Sequence, residues 1–87
     1  MPDHFDSVWL SITSLDGQTF HTKKGLPFTY SVDGNTITPS RANQAISRSD
    51  FEKAHALMPL EGPGEISSIV RGSAYVWAIL NDGRVRA

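Results

Sequence analysis

Catalysis and metal binding both need side chains of complementary chemistry brought to one point, and this chain offers few such sets. It contains no cysteine, which removes thiolate ligands, a cysteine nucleophile and disulfides together. Its histidines are His4, His21 and His55. His55 follows Glu52 by three residues, one helical turn, the spacing at which an acid and an imidazole could share a metal or a proton. A half-buried histidine flanking a core helix explains the same spacing without chemistry. His4 and Asp6 lie close to the chain start, where residues 1–6 are expected to fray. No serine sits in a G-x-S-x-G or comparable setting. Gly62-Pro63-Gly64 leads toward Glu65, yet Pro63 has no amide to offer a phosphate, no P-loop lysine follows, and Glu65 would repel an anion. No catalytic constellation, metal site or cofactor is expected.

The cations are the second candidate set. Lys23-Lys24 sits in a loop, Arg41 and Arg48 flank the polar Asn43-Gln44, and Arg71, Arg84 and Arg86 lie near the C-terminus. These seven are the candidate nucleic-acid contacts. Trp9, His21 and Tyr30 on an open sheet face would add stacking for a single strand. The competing reading is a solvated surface with Trp9 and Tyr30 packed under helices. The net charge of −1 is not that of a dedicated nucleic-acid binder, but it is unevenly spread. Residues 1–20 carry −3, residues 21–60 carry +2, and residues 61–87 balance.

These groups must be positioned by elements, and the chain is organised around residues 66–80 (ISSIVRGSAYVWAIL), whose only charge is Arg71. At roughly 25 cal/mol per Å2, hiding this stretch is the largest stabilising contribution available. Ile66, Ile69 and Val70, then Val76, Ile79 and Leu80, recur at helical spacing. Two helices are therefore expected, with Gly72 between them, Ser73 as a cap and Gly83 as the stop. The alternative for residues 73–86 is a β-hairpin turning at Asn81-Asp82-Gly83. The helix–glycine–helix pattern loosely resembles a helix-turn-helix element, which would set Ser73, Ala74, Trp77 and Asn81 toward DNA. Those side chains are poor in base-reading groups, and an αα-hairpin closing the core fits equally. If Val76, Ile79 and Leu80 point inward, Trp77 points away from them, toward a partner or a second copy of the chain.

Ahead of this stretch, Val8, Leu10 and Ile12 alternate with Trp9, Ser11 and Thr13, the period of a strand. Asp16-Gly17 is a hairpin turn and Thr19–Thr22 the returning strand. Phe28, Tyr30 and Val32 alternate again, Asp33-Gly34 turns, and Thr36–Thr38 returns to stop at Pro39. Ala42, Ala45 and Ile46 allow a short helical turn. Ser49 with Glu52 forms a capping box for a helix placing Phe51, Ala54, Leu57 and Met58 on one face, which Pro59 ends. Residues 59–64 form a Pro/Gly loop.

The expected fold is α+β in a single domain, residues 1–87: an antiparallel meander of about four short strands packed against about three C-terminal helices. The start, MPDHFDSVWL, has neither a basic region nor a long apolar run, so no signal peptide is expected, and no segment reads as spanning a membrane. The absence of cysteine suits a reducing cytoplasm. The expected function is a small non-enzymatic intracellular binding module, nucleic acid being the preferred ligand. The rival is a protein-interaction or accessory protein, dimeric through Trp77 or an exposed sheet edge.

Overall fold

A computed structural model describes residues 4–42, 45–58, 62–70 and 72–86. Its architecture is α+β: a two-stranded and a three-stranded antiparallel sheet with several helices. Among the described residues no helix is long and apolar enough to cross a membrane.

The first element overturns the strand expected at residues 8–14. Helix α1 runs from His4 to Ser14. Phe5, Val8, Trp9 and Ile12 are buried while Leu10 is 69% exposed. A strand would have set Leu10 beside Val8 and Trp9 opposite; the helical stripe does the reverse. The hydroxyls of Ser11, Thr13 and Ser14 donate to carbonyls three or four residues back, a local bond that makes these residues tolerable in a helix. Asp16-Gly17 accordingly turns the chain out of a helix and joins no hairpin.

That turn docks on the sheet. The Tyr30 hydroxyl donates to the Ile12 carbonyl in the last turn of α1, one of the acceptors a helix end leaves without an intrahelical partner. Gly17 N donates to Tyr30 O at 3.0 Å, and Val32 N donates to Asp16 Oδ2 at 3.3 Å. The outer edge of strand β3, Tyr30–Asp33, is therefore occupied by the chain itself, one way proteins avoid edge-to-edge association.

Strand β1, Phe20–His21, pairs with β2, Pro27–Phe28, in the register Phe20 to Phe28 and His21 to Pro27. The sequence had paired β1 with residues 8–14, now helical. The second hairpin turns at Asp33-Gly34 as expected, β3 pairing with β4, Thr36–Pro39, but Phe28, expected on the strand of Tyr30 and Val32, belongs to β2. Ile46 belongs to β5, Ile46–Ser47, on the far side of β4, and not to a helical turn. Helix α2, Arg48–Ala56, starts earlier than the Ser49 box implied, because Ser47 is the cap: its hydroxyl accepts from Asp50 N. Phe51 and Ala54 are buried, but Leu57 is 47% exposed.

In the C-terminal stretch the first expected helix is a single 3₁₀ turn, Pro63–Ile66, so Ile66 and Val70 are buried while Ile69 faces solvent. The helix pair needed for a helix-turn-helix is therefore missing. Helix α3, Ser73–Leu80, replaces the alternative hairpin and buries Val76, Ala78, Ile79 and Leu80. Gly72, at φ +61°, is its cap rather than Ser73. Gly83 is no stop but the first residue of a short helix α4, Gly83–Arg86. Helix α3 packs against α2, α4, β1 and the 3₁₀ turn, the position expected of a helix apolar nearly all round. The loop expected at 59–64 lies partly outside the described residues, at 59–61.

Candidate nucleic-acid interface

The hairpin of β1 and β2 carries its cations at the tip. Gly25 N donates to Thr22 O at 2.8 Å, Thr22 N to Leu26 O at 3.0 Å, and Leu26 N to the Thr22 hydroxyl at 3.1 Å. Gly25, at φ +88°, takes the left-handed conformation this closure needs. The three bonds hold Lys23 and Lys24 at the tip, both exposed. Lys23 Nζ lies 6.0 Å from the Trp77 ring centre. Its chain runs so close over Gly62 that a methyl group there would sit 2.7 Å from the nitrogen.

Two arginines distant in sequence meet the same hairpin. Arg41 Nε donates to Pro27 O on β2 at 2.7 Å, fixing an exposed guanidinium beside that strand. Arg84 Nη2 donates to Thr19 O, just ahead of β1, at 2.8 Å, and its guanidinium lies 4.3 Å from the Phe20 ring centre. Arg84 also pairs with Asp82, Nε to Oδ1 at 2.9 Å. The hydrogen bond from Arg84 holds the Asp82 carboxyl below the usual carboxylate range and its guanidinium above its ordinary value. Asp82 therefore offsets Arg84, while Lys24 and Arg41 are exposed on the same hairpin.

Arg48 sits elsewhere. Its guanidinium pairs with Asp6 and lies 5.4 Å and 5.8 Å from the Phe5 and Trp9 ring centres, near the N-terminal end of α1. Arg71 lies outside the described residues, as does the side chain of Arg86. Four of the seven candidate cations, Lys23, Lys24, Arg41 and Arg84, thus share one hairpin. No spacing in the chain signals this. The contacts depend on β1 pairing with β2, a partner the sequence reading did not assign.

Of the three aromatic candidates only His21, exposed on β1, is on this surface. Trp9 and Tyr30 are buried, and burial, with the Asp16 charge behind it, pushes the Tyr30 hydroxyl's pKa upward. Trp77 is half-buried against the core, as are Ser73, Ala74 and Asn81. The His55 ring packs on Phe5 at 5.5 Å between centres, and Glu52 is exposed. Among the described residues no three His, Asp or Glu gather as metal ligands would. No protein-family model matches the chain, and neither a curated protein nor a solved structure matches it.

Proposed function

We propose that this chain is a small non-enzymatic binding module whose ligand is nucleic acid, engaged through the β1–β2 hairpin. What supports the reading is one observation: cations from three separated parts of the chain, at 23–24, 41 and 84, are fixed on a single hairpin by named hydrogen bonds or turn geometry. A phosphate backbone presents regularly spaced negative charge, and a preset cluster of cations displaces its counterions without ordering long side chains afresh.

The test is fluorescence anisotropy of a labelled oligonucleotide at 50 and 200 mM salt. Two to three neutralised phosphates predict a weakening of about ten- to forty-fold over that range. Lys24→Ala and Arg41→Ala should each weaken binding and flatten the salt dependence by about one contact. Lys53→Ala, on the exposed side of α2, should change neither. No binding at 50 mM, or equal loss with Lys53→Ala, overturns the reading.

A further inference from the structure

The β1–β2 hairpin has one face in the core and one in solvent, and the solvent face carries two rings side by side. Phe20 and Phe28, paired in register, are buried with their ring centres 6.1 Å apart. Side chains alternate along a strand, so the next pair, His21 with Pro27, stands on the opposite face, and both residues are exposed. Directly opposed residues of an antiparallel pair hold their Cβ atoms about 4.5–5.5 Å apart. The imidazole and the pyrrolidine ring therefore adjoin on an open surface.

Pro27 also fixes a cation beside this pair. Its carbonyl accepts from Arg41 Nε at 2.7 Å. With Nε committed there, the edge of the guanidinium bearing Nη1 and Nη2 is left as a rigid fork of donors on an exposed side chain. Such a fork matches an acceptor with two oxygens, and the phosphodiester of a nucleic acid is one. Lys24, exposed at the tip of the same hairpin, suits a neighbouring phosphate. Asp82, held below the usual carboxylate range first by its bond from Arg84 and last by the His21 charge, is offset by that arginine.

Resting on the nucleic-acid reading, we infer that the ligand is a single strand: one unpaired base lies on the His21–Pro27 face while an adjoining phosphate is held by Nη1 and Nη2 of Arg41. Within a duplex the faces of each base are covered by its neighbours in the stack. An unpaired base can be splayed out and laid on an aromatic side chain, histidine included. Every base has a π-face, so this contact requires bases but tolerates any sequence.

The experiment titrates the intact chain, at pH 8 and 50 mM salt, into three fluorescein-labelled ligands of equal length. They are a mixed-sequence DNA single strand, the duplex of that strand, and a strand with the same sugar–phosphate backbone but no bases. By anisotropy the full single strand should bind several-fold tighter than the duplex. It should bind about five- to tenfold tighter than the abasic strand, the lower part of what stacking one base contributes. His21→Ala should bring the full strand down to the abasic level and leave the abasic strand unchanged. His21→Phe, which keeps a flat ring, should retain the affinity of the parent, and Arg41→Ala should weaken both strands alike. A duplex bound as tightly as its single strand, or an abasic strand that matches the full one, means that no base is stacked; the inference then fails while the nucleic-acid reading stands. Equal losses with His21→Phe and His21→Ala overturn it as well. Binding to none of the three removes the reading beneath it.

Discussion

Replacing Tyr30 with phenylalanine tests how α1 is held on the sheet. The Tyr30 side chain is 2% exposed, and its hydroxyl donates to the Ile12 carbonyl. That carbonyl also accepts from Leu15 N at 3.2 Å, so Tyr30→Phe removes one of its two partners and does not orphan it. The cost should lie toward the lower part of the range for a buried hydrogen bond, about 1–2 kcal/mol. For a domain of this size that lowers the melting temperature by about 5–15 °C. A pH signature accompanies it. Burial foremost, then the Asp16 charge, raises the folded-state pKa of Tyr30 above that of an unfolded tyrosine, about 10. Its contribution is thus complete below pH 10 and is lost as pH climbs through the folded value. Urea titrations of both proteins should show a gap of about 1–2 kcal/mol at pH 7–9 that closes above pH 10. Equal midpoints at pH 7, or a gap indifferent to pH up to 11, would refute the assignment of this bond.

Three further substitutions address the backbone ahead of α3 and the register of α1. Gly72 combines φ +61° with an Ile46 Cδ1 only 2.7 Å from where a Cβ would stand. Gly72→Ala should therefore cost about 1–3 kcal/mol in urea unfolding, from left-handed strain and displacement of Ile46. Phe5→Ala should cost about 3–5 kcal/mol, whereas Leu10→Ser, on the exposed side of the helix, should stay within about 0.5 kcal/mol of the parent. The opposite order would restore the strand reading of residues 8–14.

The hairpin at Asp33-Gly34 was legible because alternation and turn chemistry agree there. So was α3, whose spacing and burial also agree. Helix α1 was not, because Val8 and Ile12 satisfy both a period of two and a period of 3.6. Phe5 decides between them: it opens the stripe Phe5, Val8, Trp9, Ile12, yet its place near the chain start marked it for fraying. The β-branched and hydroxyl residues that favour a strand locally were overridden by packing, with Trp9 set against Phe51 at 5.8 Å between ring centres. The candidate interface failed for the same reason. Pairing β1 with residues 8–14 leaves Pro27 and Thr19 without a shared hairpin, so Arg41 and Arg84 have no reason to meet. One misread element hid both the fold's N-terminal half and the convergence of charge.

The overall charge of −1 is unevenly placed in the fold. Arg48 N donates to Asn35 O at 2.7 Å, which sets the start of α2, with Asp50, beside the Asp33-Gly34 turn. Asp6 lies at the same end of α1, paired with Arg48. The basic hairpin lies toward the opposite end, where Ile12 and Gly17 meet Tyr30. At about 1.5 Å per residue, Asp6 stands about 12 Å along α1 from Ser14, beyond the Debye length of about 8 Å at physiological salt. Asp16 lies at the Ser14 end, its carboxylate accepting from Val32 N, and Asp82 pairs with Arg84. An anionic ligand at the hairpin would therefore meet Lys24 and Arg41 with two carboxylates, not the whole acidic complement, close by.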